Sequence, residues 1–113
     1  MEYKLLHLGI NQENEREALD TVHVLAELFN MQIHENEGSF FLDDKFEVMK
    51  KKYYGTNGHV ALGVTDLSKS LSELKEKGID SIKESAVYDK TGKMKVIYLE
   101  KEIAGFAIHL TQL

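Results

Sequence analysis

The sequence has no cysteine and no proline. Without thiols there is no disulfide framework, no thiolate metal ligand and no cysteine nucleophile, which fits a reducing compartment. Without proline, turns rest on Gly, Asn and Asp. Arginine is nearly missing: Arg16 is the only one. A bidentate guanidinium clamp for a di-anionic substrate is therefore nearly excluded, and lysines or a metal would have to hold any anion. No apolar run approaches the about 20 residues that a membrane span needs, and Met1 opens no signal-peptide pattern. A cytoplasmic protein with no membrane contact is expected. The formal charge of -5 argues against a nucleic-acid partner, which demands a basic face. The one basic cluster, Lys50-Lys51-Lys52, reads as a solvated strand end.

What remains is an ordinary globular composition, 42% hydrophobic and 29% charged over 113 residues, enough for one domain with a real core. Alternation predicts a first strand over 3–10, with Lys4, Leu6, Leu8 and Ile10 on one face and Leu5, His7 and Gly9 on the other. A helix follows over about 12–30, with Asn11 as a possible cap and Leu19, Val22, Leu25, Ala26, Leu28 and Phe29 as its apolar stripe. Strands are expected over 31–35, 39–42 and 46–51, the last with Phe46 and Val48 opposed to Glu47 and Met49. After a connector at 53–58 the order restarts. A strand over 59–65 leads to a helix capped by Thr65 or Asp66 and ending at Gly78. Extended segments follow at 80–88, 95–100 and 106–113. The chain thus reads as two similar halves, about 1–54 and 55–113, each βαβββ.

The stretch Gly58-His59-Val60-Ala61-Leu62-Gly63-Val64 has two unlike faces. Val60, Leu62 and Val64 share one; His59 stands among Ala61 and Gly63 on the other. Leu6-His7-Leu8-Gly9-Ile10 repeats the arrangement, and on the last strand His109 lies beside Ala107 and Thr111. Glu47 sits inside an apolar run, where a carboxylate is costly unless paired or bound to a cation. Taken singly, a strand histidine is more often a hydrogen-bonded or surface residue than a ligand, and Glu47 beside Lys45 and Lys50 could lie on a solvated face. Jointly, three imidazoles and one carboxylate make a first shell for Zn, Ni, Mn, Fe or Co with open positions for a chelating substrate. His23 and His34 read as structural or exposed. Tyr53 and Tyr98 are candidate cavity-lining donors.

The βαβββ–βαβββ order and these segments, together with Gly105-Phe106-Ala107-Ile108-His109-Leu110, resemble the vicinal oxygen chelate superfamily. That group holds glyoxalase I, extradiol dioxygenases, methylmalonyl-CoA epimerase, and the fosfomycin and bleomycin resistance proteins. The resemblance implies an α+β fold of two βαβββ modules, with curved mixed sheets around a metal cavity and helices on the outer faces. It implies His7, Glu47, His59 and His109 as ligands of one divalent metal, with Glu47 as general base and His109 as second choice. It also implies a homodimer. The activity implied is a glyoxalase-like lyase or isomerase that stabilises an enediolate of a small 2-oxo or 2-hydroxy compound. The fourth position departs from the pattern, since His109 stands where glyoxalase I carries glutamate. No arginine near Asn11 matches its glutathione-binding residue. A second resemblance, to small domains accompanying the aldolase for 2-keto-3-deoxy-6-phosphogluconate and 4-hydroxy-2-oxoglutarate, implies an aldolase partner. A non-catalytic binding protein of the bleomycin-resistance type is the alternative.

Overall fold

A computed structural model describes all 113 residues. The first half runs β1 (Lys4–Ile10), α1 (Glu15–Phe29), β2 (Ile33–Glu35), β3 (Ser39–Leu42) and β4 (Phe46–Met49). The second runs β5 (Gly58–Val64), α2 (Leu67–Glu76), β6 (Ser81–Tyr88), β7 (Met94–Leu99) and β8 (Phe106–Gln112). This is the α+β arrangement of two βαβββ units expected above. The two sets of strands do not form separate sheets. β1 and β5 pair antiparallel, joining the halves edge to edge in one sheet of order β2-β3-β4-β1-β5-β8-β7-β6. In this chain the two halves thus meet along the β1–β5 seam. β1–β4 and β5–β8 are parallel, each across a helical crossover, and the remaining neighbours are antiparallel.

Each helix covers the apolar face of its own half. Ala18 and Val22 of α1 pack with Phe40, Leu42 and Val48. Leu67 of α2 packs with Val64, Ile97, Leu99, Ile108 and Leu110, and Leu71 and Leu74 border that cluster. The expected stripe of α1 is only partly right. Leu19, Leu28 and Phe29 are exposed, and the buried line is Ala18 and Val22, flanked by Leu25 and Ala26. Leu19, between Ala18 and Val22 along the axis, is turned off the buried line; for Leu28 and Phe29 the cause is a short floor. A helix of 15 residues is about 22 Å long, whereas a four-residue strand such as β3 or β4 gives about 13 Å of sheet. Only the middle turns find a partner.

Two further expectations change. The α1 cap is Asn14, not Asn11: its side chain accepts from the Glu17 amide at 2.9 Å, so the helix starts at Glu15. In α2 the cap is Asp66, accepting from the Lys69 amide. In β1 the register slips between Leu5 and His7. One extra residue, Leu6, bulges out, and a bulge reverses the alternation on its far side. Leu5 consequently pairs with Leu62 and shares a face with it rather than with His7.

Candidate metal centre

The register sets the four candidate residues in two adjacent cross-strand rows on the face opposite the helices. One row reads Phe41–Glu47–Gly9–His59–Ala107 across β3, β4, β1, β5 and β8. The next reads His7–Ala61–His109–Tyr98 across β1, β5, β8 and β7. Residues directly opposite on neighbouring strands stand about 5 Å apart at Cβ, so large side chains in every column would collide. Here a functional side chain alternates with Gly or Ala. Gly9 shows the reason most plainly: a methyl group built there would fall inside the His59 imidazole. Gly9 is needed for space, so that this ring can lie over the β1 backbone.

The donors converge. The Nε2 atoms of His7 and His59 are 3.2 Å apart. Glu47 Oε1 lies 3.3 Å from His7 Nε2 and 3.1 Å from His59 Nε2. Glu47 Oε2 accepts a 2.7 Å hydrogen bond from the buried Ser39 hydroxyl. One ring nitrogen each of His7, His59 and His109 falls within 4.8 Å of the others, and the Thr111 hydroxyl is 3.3 Å from His109 Nδ1. His59 and His109 are 1% and 7% exposed.

Hydrogen bonding alone leaves this triangle frustrated. A neutral imidazole offers either a hydrogen or a lone pair at Nε2, never both. If both rings donate to Glu47, their two N–H groups face each other; if one ring turns its lone pair inward, it repels the carboxylate. A cation in the middle would accept from all three corners. Metal–ligand bonds of about 2.1 Å put neighbouring donors about 3.0 Å apart in octahedral and about 3.4 Å apart in tetrahedral coordination. The observed edges of 3.1 to 3.3 Å lie in that window, so the residues present fit a divalent ion. His59 Nδ1 is buried with no partner, and such an orphan costs about 1–3 kcal/mol.

The electrostatics of the metal-free protein follow from burial and these bonds. Burial raises the Glu47 carboxyl, but hydrogen bonds from His59, His7 and Ser39 outweigh it and hold the group well below the usual carboxylate range. The His109 imidazole is pushed down to about 4, by burial first and then by His59 and His7. The Tyr98 phenol is driven up by burial, with Tyr53, Glu47 and Tyr54 adding to it.

The structure therefore brings Glu47 against His7 and His59, groups His109 with the same two histidines within 4.8 Å, and leaves His23 and His34 exposed elsewhere. Lys50 does not pair with Glu47; it bridges Glu35 and Glu15. Tyr98 packs edge-on to His109 at 5.0 Å between centroids, and Tyr53 lies 5.9 Å from Tyr98. Tyr54, Phe41 and Ser39 were missed from the sequence. Phe41 packs edge-on to His7 at 5.2 Å. Ser39 shares a face with Glu47 only through the β3–β4 register, and Tyr54 sits in a connector without periodicity, so neither leaves a local signal.

No family model and no curated protein matches the sequence. Solved structures do match in fold. A hypothetical protein from Bacillus halodurans superposes with a TM-score of 0.64 at 19% identity, covering 100% of this chain and 96% of that one. A variant of Streptomyces coelicolor methylmalonyl-CoA epimerase in complex with 2-nitronate-propionyl-CoA gives 0.63 at 15%, covering 96% of each chain. Methylmalonyl-CoA epimerase from Mycobacterium tuberculosis gives 0.59 at 16%, covering 96% and 87%. The chain shares the fold of these proteins.

Proposed function

We propose that this protein is a divalent-metal-dependent enzyme of the glyoxalase-like lyase or isomerase kind, acting on a small 2-oxo or 2-hydroxy compound. The observation that carries the reading is the triangle of His7 Nε2, His59 Nε2 and Glu47 Oε1, with edges of 3.1 to 3.3 Å. A bound Zn, Ni, Mn, Fe or Co ion supplies a Lewis acid that steadies negative charge developing on two adjacent substrate oxygens.

The chain's own residues do the rest. His7, His59 and Glu47 would hold the ion, with His109 as the next donor from the β8 side. Ser39 fixes Glu47 as an anion by holding Oε2. Proton transfer at the carbon next to the oxygens would fall to Glu47 once its Oε1 turns from the donor triangle to the substrate, with the neutral His109 imidazole as the second candidate. Burial of His59 and His109 keeps water from competing and strengthens each electrostatic contact. An epimerase of like fold is solved in complex with 2-nitronate-propionyl-CoA, which supports ligand binding by a chain of this fold.

One observation favours a second reading, a binding protein without turnover. Glu47 is tied at both oxygens and the fourth corner is a histidine, so no carboxylate in the site stands free. The homodimer and the aldolase partnership belong to the proposal too. Since all four donors come from one chain, a dimer would hold two complete sites.

The test is metal binding by untagged protein stripped with a chelator. One ion per chain is expected. Metal at about 100 times its Kd adds about 2.7 kcal/mol, a rise of about 10 °C in the unfolding midpoint for a chain of this size. A midpoint indifferent to Zn, Ni, Mn, Fe and Co alike overturns the enzyme reading.

A further inference from the structure

The approach to the candidate site is lopsided. On its β7–β8 side a stack of aromatic rings stands against the histidines. Tyr98 packs on His109. Tyr54 lies flat on Tyr98, with centroids 4.4 Å apart and planes 25° apart. Tyr53 then closes edge-on to Tyr54 at 4.8 Å. Tyr98 is only 6% exposed as a result. On the opposite side His7 and Glu47 keep 16% and 18% of their side chains open.

Two of the three tyrosines, Tyr53 and Tyr54, come from the β4–β5 connector, which is tied down rather than free. The Asn11 amide donates to the carbonyls of Tyr53, Tyr54 and Gly55 at 3.3, 3.4 and 2.9 Å, and its oxygen accepts from the Tyr53 amide at 3.4 Å. Asn57 is held at both backbone groups, by Gly105 and by Asn11. Gly55 has φ +91°, and a side chain there would strike the Gly58 carbonyl. An asparagine positioned as if to cap α1 instead pins a loop.

We propose that Tyr54 is the specificity-determining residue of this site: stacked on Tyr98, it fills the β7–β8 half of the cup and limits the ligand to a compact molecule approaching over His7 and Glu47. Asn11 is the residue that positions it. The inference rests on the proposed metal-dependent function for the chemistry of the ligand head, but the steric claim stands on the stack alone. Such a filter passes a 2-oxo acid as small as pyruvate. One with a bulky flat substituent meets the tyrosine stack and is rejected.

Two measurements on Tyr54→Ala and Asn11→Ala test this. In the nickel-loaded protein, calorimetry compares pyruvate with phenylpyruvate, which share the same oxygen pair. The wild type should bind phenylpyruvate at least about tenfold more weakly. Tyr54→Ala should narrow that gap about tenfold by gaining phenylpyruvate, with pyruvate and nickel content little changed; Asn11→Ala should move the same way by less. The second measurement needs no metal. Acylation of the metal-free protein by diethyl pyrocarbonate, followed by mass spectrometry, should find His109 slow beside the exposed His23 and at least fivefold faster in Tyr54→Ala. Equal binding of the two acids by the wild type, or an unchanged ratio in Tyr54→Ala, overturns the filter. So does a His109 that reacts as fast as His23 in the wild type. Failure to take up nickel with the acylation pattern as expected would sink the metal-dependent reading and leave the filter standing.

Discussion

Gly9→Ala should abolish metal binding as completely as His59→Ala. The added methyl falls where the His59 ring, 1% exposed, now lies. Overpacking of this kind costs about 1–3 kcal/mol, and relief requires the ring to swing off the triangle. Losing a residue that merely orients a ligand costs about 10–100-fold in metal affinity, so displacing a direct donor should cost at least about 100-fold. Isothermal titration of both variants with zinc checks this, with urea unfolding to read the packing cost separately. Retention of wild-type affinity by Gly9→Ala would mean that His59 does not need its present position.

The second large effect is on stability against pH, measured by urea unfolding of the metal-free protein. His109 has an ordinary value of 6.5 and a folded value of about 4. Between those values the unfolded chain binds more protons, so stability rises with pH. The penalty is absent above 6.5, grows as pH falls, and is complete below about 4. Glu47 acts in the same direction: its depressed value contributes stability above the ordinary carboxylate range, lost as pH falls through its folded value. In the window from pH 7.5 to 4.5 His109 dominates, and the loss should be about 2–3 kcal/mol. His109→Gln should remove most of that difference. An equal loss in variant and wild type would place the titrating group elsewhere.

Much of this was legible from the residues because the determinants are local. Period-2 alternation marked β5 and β8, and small residues beside His59 and His109 marked the open face. The doubled His-strand pattern tied β1 to β5. What was not legible depends on pairing. The Leu6 bulge cannot be read from alternation within β1, since it arises from the register against β5. The exposure of Leu28 and Phe29 follows from how short β3 and β4 are, which a helical wheel does not contain. Asn11 had the right residue type for a cap and lies three residues too early; its amide is used by the connector instead. Tyr54 is placed by hydrogen bonds from the side chain of the distant Asn11 to the connector carbonyls, and nothing in Tyr53-Tyr54-Gly55 announces a stack.

The central claim is that His7, His59 and Glu47 surround one cation. Crystals of the protein grown with zinc or nickel, measured at the metal's absorption edge, test it most directly. The account predicts a single anomalous peak per chain about 2.0–2.2 Å from His7 Nε2, His59 Nε2 and a Glu47 oxygen, with His109 as the next nearest donor. A strong peak elsewhere on the chain, or an empty triangle in a fully metal-loaded crystal, would contradict it.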